Sequence, residues 1–440
     1  MAYRNSYNYK GGTRKAREAK RAEKNIRRIG WILLWVFVGM LAAHLIYSVA
    51  VKTKQTVGEL SSAGIPPIVT IQDEANAKGG EYFYIGESLA DPYEADAYIA
   101  TLLKKGAKRV VLEVKPESGV LAYASGSRTA QRLGAVPEGA PQADKLILKF
   151  ANAGIAVTAR MSLYCDGVAA AAEPKSAAVV SESVETTVTD AEGNEVPSAE
   201  VRSTGVVWLD RNGHGWLDPY DSFATEYAKE LMEELAKAGV SSVMFNNITF
   251  PTAADGADGL VTFPGEEGNE LPRAGAVRQN VSVLYSEAQS LGIELLAELD
   301  AAYCCGEQDA VSGVTFDVFE LSADAICPDV RLSRLEANGV TSVGGYAFDT
   351  TVSADLTQLL NALASSTKVM QGALHTPPRI MPVVQAYTDT SLPSGRRRTI
   401  GAEDIAAMRS ALDSNLILGR VFFGTRESYA ELFTDITPAQ

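Results

Sequence analysis

SSVMFNNITFP, residues Ser241 to Pro251, runs from an apolar core (Val243, Met244, Phe245) through two amides (Asn246, Asn247) into Ile248, Thr249, Phe250 and Pro251. An apolar run of this length ending in a polar, aromatic rim has the pattern of a buried parallel strand leaving a sheet. In a barrel of alternating strands and helices the reacting groups stand at the carboxyl ends of the strands. A catalytic carboxylate is expected here, and the chain offers Asn246 and Asn247 instead.

Working outward, the same signature recurs. Strands are expected at Tyr82–Ile85, Arg109–Lys115, Ile155–Tyr164, Ser241–Ile248, Ile293–Asp300, Ala323–Cys327, Arg379–Gln385 and Leu416–Phe423. Amphipathic helices lie between most of them: Tyr93–Lys105, Ala143–Ala153, Ser222–Ala238, Val277–Leu291 and Ala402–Leu412. Gly106, Gly154, Gly239 and Gly292 follow four of these helices, where a left-handed C-cap is expected. Helix, glycine, then a β-branched strand is the mark of parallel βα units. Eight units in the roughly 360 residues from Glu81 onward predict a (β/α)8 TIM-type barrel with loop insertions. The rival, a doubly wound sheet, lacks the glycine-rich phosphate loop after its first strand.

Period-two alternation assigns the faces. Ile155, Val157, Ala159, Met161 and Leu163 point toward the helices, with Thr158, Arg160, Ser162 and Tyr164 opposite. Val111, Glu113 and Lys115 are expected inward on the second strand, and Leu296, Glu298 and Asp300 on the fifth. Insertions interrupt the repeats at about Asp166 to Arg202 and Thr252 to Gly275. The first carries VETTVTD and EVPSAEV joined by AEGN, a hairpin pattern. Both follow strands, so both are expected over the barrel mouth, as a lid, a partner surface or a tolerated excursion.

Upstream, residues 1–28 carry ten Lys/Arg and two Glu. With a net charge of −14 for the 440 residues, about −22 falls on the rest. An acidic body excludes nucleic acid as a main partner. From Ile29 to about Val51 the chain is apolar throughout, long enough to cross a hydrocarbon core of ~30 Å, with Trp31 and Tyr47 near its ends. We read a basic cytoplasmic tail (1–28), a transmembrane helix (29–51), a linker (52–80) and an extracytoplasmic barrel (81–440), the orientation following from the basic flank. Cys165, Cys304, Cys305 and Cys327 form no CxxC pair, and His44, His214 and His375 are the only histidines. That spacing suggests no zinc site and no cofactor, and leaves disulfide pairing open.

KRVVLEVKPESGVLAY, AGIAVTARMSLYCD, VVWLDRNGHGWLDPY and the FNNITFP segment together resemble, in order and spacing, a family of bacterial glycosyl-hydrolase-like barrels distantly related to the α-amylase type. The resemblance spans roughly Glu81 to Tyr429, and Trp208 to Tyr220 is its most specific part. It implies a TIM barrel acting on a polysaccharide or cell-wall glycan. The family's fourth-strand motif commonly reads Phe-Asp-Tyr, a variable residue, then Arg-Phe-Pro; here Asn246 stands for the Asp and Thr249 for the Arg. The family's fifth-strand acid maps onto Glu298, and its aromatic signature after the sixth strand is replaced by ICPDV.

Glycoside hydrolysis generally uses two carboxyl groups, and Asn246 cannot ionise. We therefore take Glu298 as the candidate acid, with Asn246 in the catalytic position. Glu113, Lys115, Arg160, Trp208, Asp210, Trp216, Asp218, Tyr220 and Asp300 are candidate substrate contacts. Several have structural alternatives. Glu298 and Asp300 could simply orient Arg160, and Glu113 could pair with Lys115. Asp210 and Asp218 could cap their turn or contribute to a calcium loop. Glu113 and Glu117 could supply a replacement carboxylate. Rings at Tyr123, Tyr164, Trp208, Trp216, Tyr220 and Phe250 suit sugar stacking or loop packing, and Arg396–Arg398 suits a solvated loop or an acidic polymer. Two functions follow from the sequence: a glycoside hydrolase on an envelope or environmental polysaccharide, or a non-catalytic descendant that binds a glycan or an envelope protein.

Overall fold

The computed structural model describes residues 80–86, 92–189, 193–257, 261–306, 312, 316–320, 322–348, 355–389 and 399–435. The tail, the apolar run at 29–51, nearly all of the linker and Arg396–Arg398 lie outside these. Among the described residues no helix is long and apolar enough to cross a membrane.

Eight parallel strands close into a barrel: β1 (Glu81–Ile85), β2 (Arg109–Lys115), β3 (Ala156–Ser162), β4 (Ser242–Asn246), β5 (Glu294–Asp300), β6 (Ala325–Asp329), β7 (Arg379–Ile380 continued by Val383–Gln385) and β8 (Arg420–Phe423). β8 pairs back onto β1 with Tyr82 opposite Val421. Pro382 has no N–H to donate, which accounts for the interruption of β7. Helices α1 (Pro92–Lys104), α2 (Ala143–Asn152), α3 (Phe223–Ala238), α4 (Arg273–Leu291), α5 (Leu356–Gly372), α6 (Ala402–Ser414) and α7 (Arg426–Leu432) follow the strands. Among the described residues, β5 is followed by two short helical segments, Ala301–Cys304 and Phe316–Phe319.

The four cap glycines, Gly106, Gly154, Gly239 and Gly292, have φ of 70°, 73°, 102° and 72° as expected. The expected strands and helices are present, with boundaries moved by up to four residues; the sixth strand, for one, runs Ala325–Asp329. The last strand begins at Arg420 and not at Leu416, which is exposed in a turn at φ 61°. The helix α5 was not anticipated.

The alternation also holds within the strands, with one exception, and beyond the end of β3 Tyr164, expected inward, packs in the main core with its hydroxyl against Asn280 of α4. Val110, Leu112, Val157, Ala159, Val243, Leu295 and Phe422 pack beneath the helices in the main core. Tyr82, Val111, Met244, Leu296, Cys327, Met381, Val383 and Val421 fill the lower barrel interior. Lys115 is the exception. A bulge places Glu113 opposite Arg160 but Lys115 opposite Met161, which faces the helices. Lys115 therefore leaves the lumen. Its ammonium pairs with Asp166 at 2.7 Å, donates to the Ser162 carbonyl at 2.6 Å and lies over the Tyr227 ring of α3.

The two insertions combine. Val179–Thr189 pairs antiparallel with Glu195–Val207, the hairpin expected, and Val261–Thr262 of the second insertion adds a third strand against Val179 and Val180. The barrel seam is fastened by Tyr429. Its hydroxyl lies 2.8 Å from the Tyr84 carbonyl and 2.7 Å from the Phe422 carbonyl, and accepts from the Gly424 amide at 2.9 Å. Tyr429→Phe keeps the ring and strands these buried groups. It is expected to cost about 1–3 kcal/mol of stability, read from the midpoint of urea unfolding; an unchanged midpoint would show that the seam does not depend on this hydroxyl.

Candidate functional site

At the carboxyl ends of the strands lies a continuous depression in two parts. An inner pocket of about 60 Å³ is lined by Glu117, Asn246, Asn247, Glu298, Asp300, Asp329 and Arg331, among others. An outer cleft of about 320 Å³ shares Glu117, Arg160 and Arg331 and adds Tyr84, Glu113, Asp210, His214 and Phe423. The lining is dominated by charge.

The floor is an ion network. Arg160 donates Nε and Nη2 to the two Glu298 oxygens at 2.7 and 2.8 Å and its Nη1 to Glu113. All three side chains are almost wholly buried. Register explains the meeting: Glu113 lies opposite Arg160 on β2–β3, and Glu298 projects inward from β5. Tyr84 donates to Glu113 Oε2 at 3.0 Å, the oxygen that also faces Arg160. Glu113 Oε1 is buried with no hydrogen-bond partner among the described residues. Burial, above all, pushes the Glu113 carboxyl up to about 7, against the pull of Arg160.

A second arrangement sits above it. Glu117, in the loop after β2, accepts from Asn246 Nδ2 at 2.7 Å and Asn247 Nδ2 at 3.2 Å. Asn247 also donates to Ser162 Oγ at 2.9 Å. Asn247 reaches Glu117 from φ 47°, a left-handed conformation that Asn tolerates better than most residues. Burial raises the Glu117 pKa, but the Arg160 charge and the hydrogen bonds outweigh it, so the carboxyl stays below its ordinary range. Asp300 goes the other way: burial raises it to about 6 although Arg334 opposes the rise. Asn338 Nδ2 donates to it at 3.0 Å. Asp329 is held below its usual range: burial pushes it up, and Arg331, bonded to both its oxygens, more than compensates.

Of the residues singled out in the sequence, Asn246, Glu298, Glu113, Arg160, Asp210, Trp216 and Asp300 line the depression. Lys115, Trp208, Asp218 and Tyr220 do not line it. Asp218 accepts from the Tyr220 and Gly265 amides at 2.8 and 2.6 Å, tying one insertion to the next. Tyr220 packs edge-on against Phe250. Tyr123, Tyr164, Trp208, Trp216 and Phe250 are buried, so they pack the loops and offer no open stacking face. The ring pair at the cleft is another: Tyr84 stacks on Phe423 at 3.6 Å, with the Arg331 guanidinium 3.8 Å from the Phe423 centroid. Asp329, Arg331 and Arg334 were missed. Their signal was an acid at the end of β6 followed by two arginines on the next turn, in the ICPDVRLSR segment.

The turn DRNGHG folds back on the end of β3. Asp210 Oδ1 accepts from the Asn212 and His214 amides at 2.8 and 2.9 Å. The ligating atoms of Cys165, Asp210 and His214 lie within 4.8 Å of one another, a proximity invisible in their spacing. Cys165, Cys304 and Cys327 are free thiols.

A parallel eight-stranded barrel with paired and clustered carboxylates at its mouth is the architecture of glycoside-hydrolase-type barrels. Residues 83–429 match the family model described as "Putative glycosyl hydrolase domain", and the chain belongs to that family. Among solved structures, the PgaB (BpsB) glycoside hydrolase domain from Bordetella bronchiseptica is similar at 14% identity, over 82% of this chain and 99% of that one, with a TM-score of 0.52. A hypothetical protein from Ruminiclostridium thermocellum matches at 21% identity over 49% of this chain and 96% of its own, TM-score 0.37. The PelA glycoside hydrolase domain from Pseudomonas aeruginosa matches at 13% identity over 81% and 98%, TM-score 0.40. No match is found among curated proteins.

Two predictions follow from the network. Arg160→Met leaves Glu113 buried without its cation and Glu298 facing Arg331 alone at 3.8 Å, and is expected to destabilise by about 3–5 kcal/mol. Adding Glu113→Gln and Glu298→Gln to it should recover much of the loss in chemical denaturation, and a loss unchanged in the triple variant would show that charge is not its source. For Glu113 the folded pKa of about 7 exceeds the ordinary 4.5. The folded state thus binds the proton more tightly, so this contribution is fully present below about pH 4.5 and is lost as pH rises through about 7. Wild-type stability should carry that downward slope, and Glu113→Gln should flatten it; parallel pH profiles would refute the assignment.

Proposed function

We propose that this protein is a membrane-anchored, extracytoplasmic barrel that engages a polysaccharide at its mouth, and that its family-position acid pair has passed from catalysis to structure. The observation that carries this reading is the bidentate clamp of Arg160 on Glu298, beside an amide at position 246. Both Glu298 oxygens are thereby engaged by a fixed guanidinium, and Asn246 offers neither a proton to exchange nor a nucleophilic oxygen. The cleft itself persists, with convergent donors and acceptors and the Tyr84–Phe423 ring pair at its edge. Anchoring rests on the apolar run from Ile29 to Val51 and the basic flank of residues 1–28, which by charge stays in the cytoplasm. The family membership supports a glycan as the ligand class.

A second reading is favoured by one specific contrast. Glu117 is held ionised while Asp300 is raised to about 6, and both line the inner pocket. Carboxyl groups whose environments push them apart are what an acid and a base require. In this reading Glu117 serves as base or nucleophile and Asp300 as proton donor, displaced from the family positions.

The two readings separate in one experiment: glycan-array binding by the full-length protein, run beside hydrolysis assays on the bound glycans. Binding without turnover, unaffected in kind by Glu117→Gln, is the expected outcome. Turnover that falls about 10²–10⁴-fold in Glu117→Gln, and fades as pH rises above about 6 when Asp300 deprotonates, would establish the displaced pair. Neither binding nor turnover would reject the polysaccharide assignment.

A further inference from the structure

We propose that Cys165, Asp210 and His214 form a binding site for a divalent transition-metal ion of the zinc class on the rim of the outer cleft. The site is assembled by backbone pairing. Cys165 bridges to Trp216 and Leu209 to Gly215, while the Asp166 amide donates to the Gly215 carbonyl at 2.9 Å. These contacts fold the DRNGHG turn onto the end of β3.

The donor atoms converge on one oxygen. Cys165 Sγ lies 3.7 Å from Asp210 Oδ2, and His214 Nδ1 lies 3.9 Å from the same atom. Metal–ligand bonds of about 2.3 Å to sulfur and 2.0–2.2 Å to nitrogen and oxygen make the edges of a tetrahedral zinc site about 3.3–3.8 Å. The three donors are therefore within a small contraction of ligating distance. Asp210 is set for the role: Oδ1 is fixed by two backbone amides, and Oδ2 is left facing the thiol and the imidazole. Trp216 Nε1 lies 3.4 Å from that oxygen, placed as an outer partner that steadies the carboxylate.

An independent observation points to a ligand. His214 Nδ1 is buried and has no hydrogen-bond partner among the described residues. A buried nitrogen without a partner is costly, and a cation between it and Oδ2 would satisfy it. The donor set of one sulfur, one imidazole and one carboxylate suits zinc and excludes magnesium and calcium, which take oxygen ligands. The calcium loop considered from the sequence does not form, because the Asp218 oxygens are taken by the Tyr220 and Gly265 amides. Nor is the cluster a thiol–imidazole nucleophile, since both groups turn toward the carboxylate that lies between them. All three residues line the outer cleft. Three protein ligands leave a fourth position open for water or another ligand. On coordination the Cys165 thiol gives up its proton to solvent and its sulfur bonds the metal.

The test uses the full-length protein, purified without a polyhistidine tag and stripped with chelator. Stoichiometric Co2+ is expected to produce a near-ultraviolet thiolate-to-cobalt charge-transfer band that Zn2+ then displaces. Cys165→Ser should abolish the band, and His214→Ala should weaken metal affinity at least about 10-fold. Cys304→Ser with Cys305→Ser should leave the band intact. Zn2+ should also raise the Tm of wild type and not that of Cys165→Ser, a readout that does not depend on any glycan. Absence of the band in wild type, its survival in Cys165→Ser, or equal thermal shifts in the two proteins would each overturn the proposal.

Discussion

Arg160 carries a positive charge inside the barrel, above an apolar layer of Val111, Met244, Leu296 and Cys327. Taking a guanidinium out of water costs several kcal/mol even after relaxation. The cost is tolerable only because two carboxylates, one from the adjacent β2 and one from β5 beyond β4, reach it together. Their reach in turn requires the β2–β3 register that sets Glu113 opposite Arg160. The bulge immediately afterwards does related work: it sends Lys115 out of the lumen to Asp166, so the interior does not add a third cation to Arg160 and Arg331. Strand register, bulge and ion network are thus one constraint.

That constraint shapes what the mouth can do. Glu298 and Glu113 together neutralise Arg160, so removing the charge of either would leave the guanidinium half-compensated. Position 246 fits the same logic. A carboxylate there would stand 2.7 Å from Glu117, where the Asn246 amide now donates. Like charges at that separation cannot both ionise. The amide instead lets Glu117 remain charged, and Asn247 supports it from a backbone conformation that few other side chains would accept.

The barrel was legible because its signals are local and periodic. Alternation along each strand and a glycine after each of four helices need no knowledge of tertiary contacts. What failed in the reading failed for physical reasons. Strict alternation assumes no bulge, and one extra residue after Glu113 reversed Lys115. The helix α5 was hidden by Ser365, Ser366 and Thr367, polar and β-branched residues that weaken a helical pattern; Thr367 bonds back to the Leu363 carbonyl inside the helix. Of the aromatic residues in the WLDRNGHGWLDPY segment, Trp216 lines the depression while Trp208 and Tyr220 do not. Large rings near a mouth serve packing first, and Trp216 is only 2% exposed. Asp329, Arg331 and Arg334 lay in the segment where the family signature was absent, so nothing in the resemblance drew attention to them.

The rim shows why long-range proximity is the least readable layer. Cys165 and His214 are separated by the whole hairpin insertion, and no spacing rule links them. They meet because the hairpin returns the chain to its starting point: Val179 pairs with Val207, and Ala178 and Trp208 exchange a backbone hydrogen bond just below. An insertion that leaves and re-enters at one place adds surface without disturbing the barrel beneath it. It also sets the turn that follows directly against the strand end that preceded it. In this fold the insertion therefore shapes the cleft wall through its base, while most residues of its two described strands are exposed. The chemistry at the rim depends on that closure as much as the floor depends on Arg160.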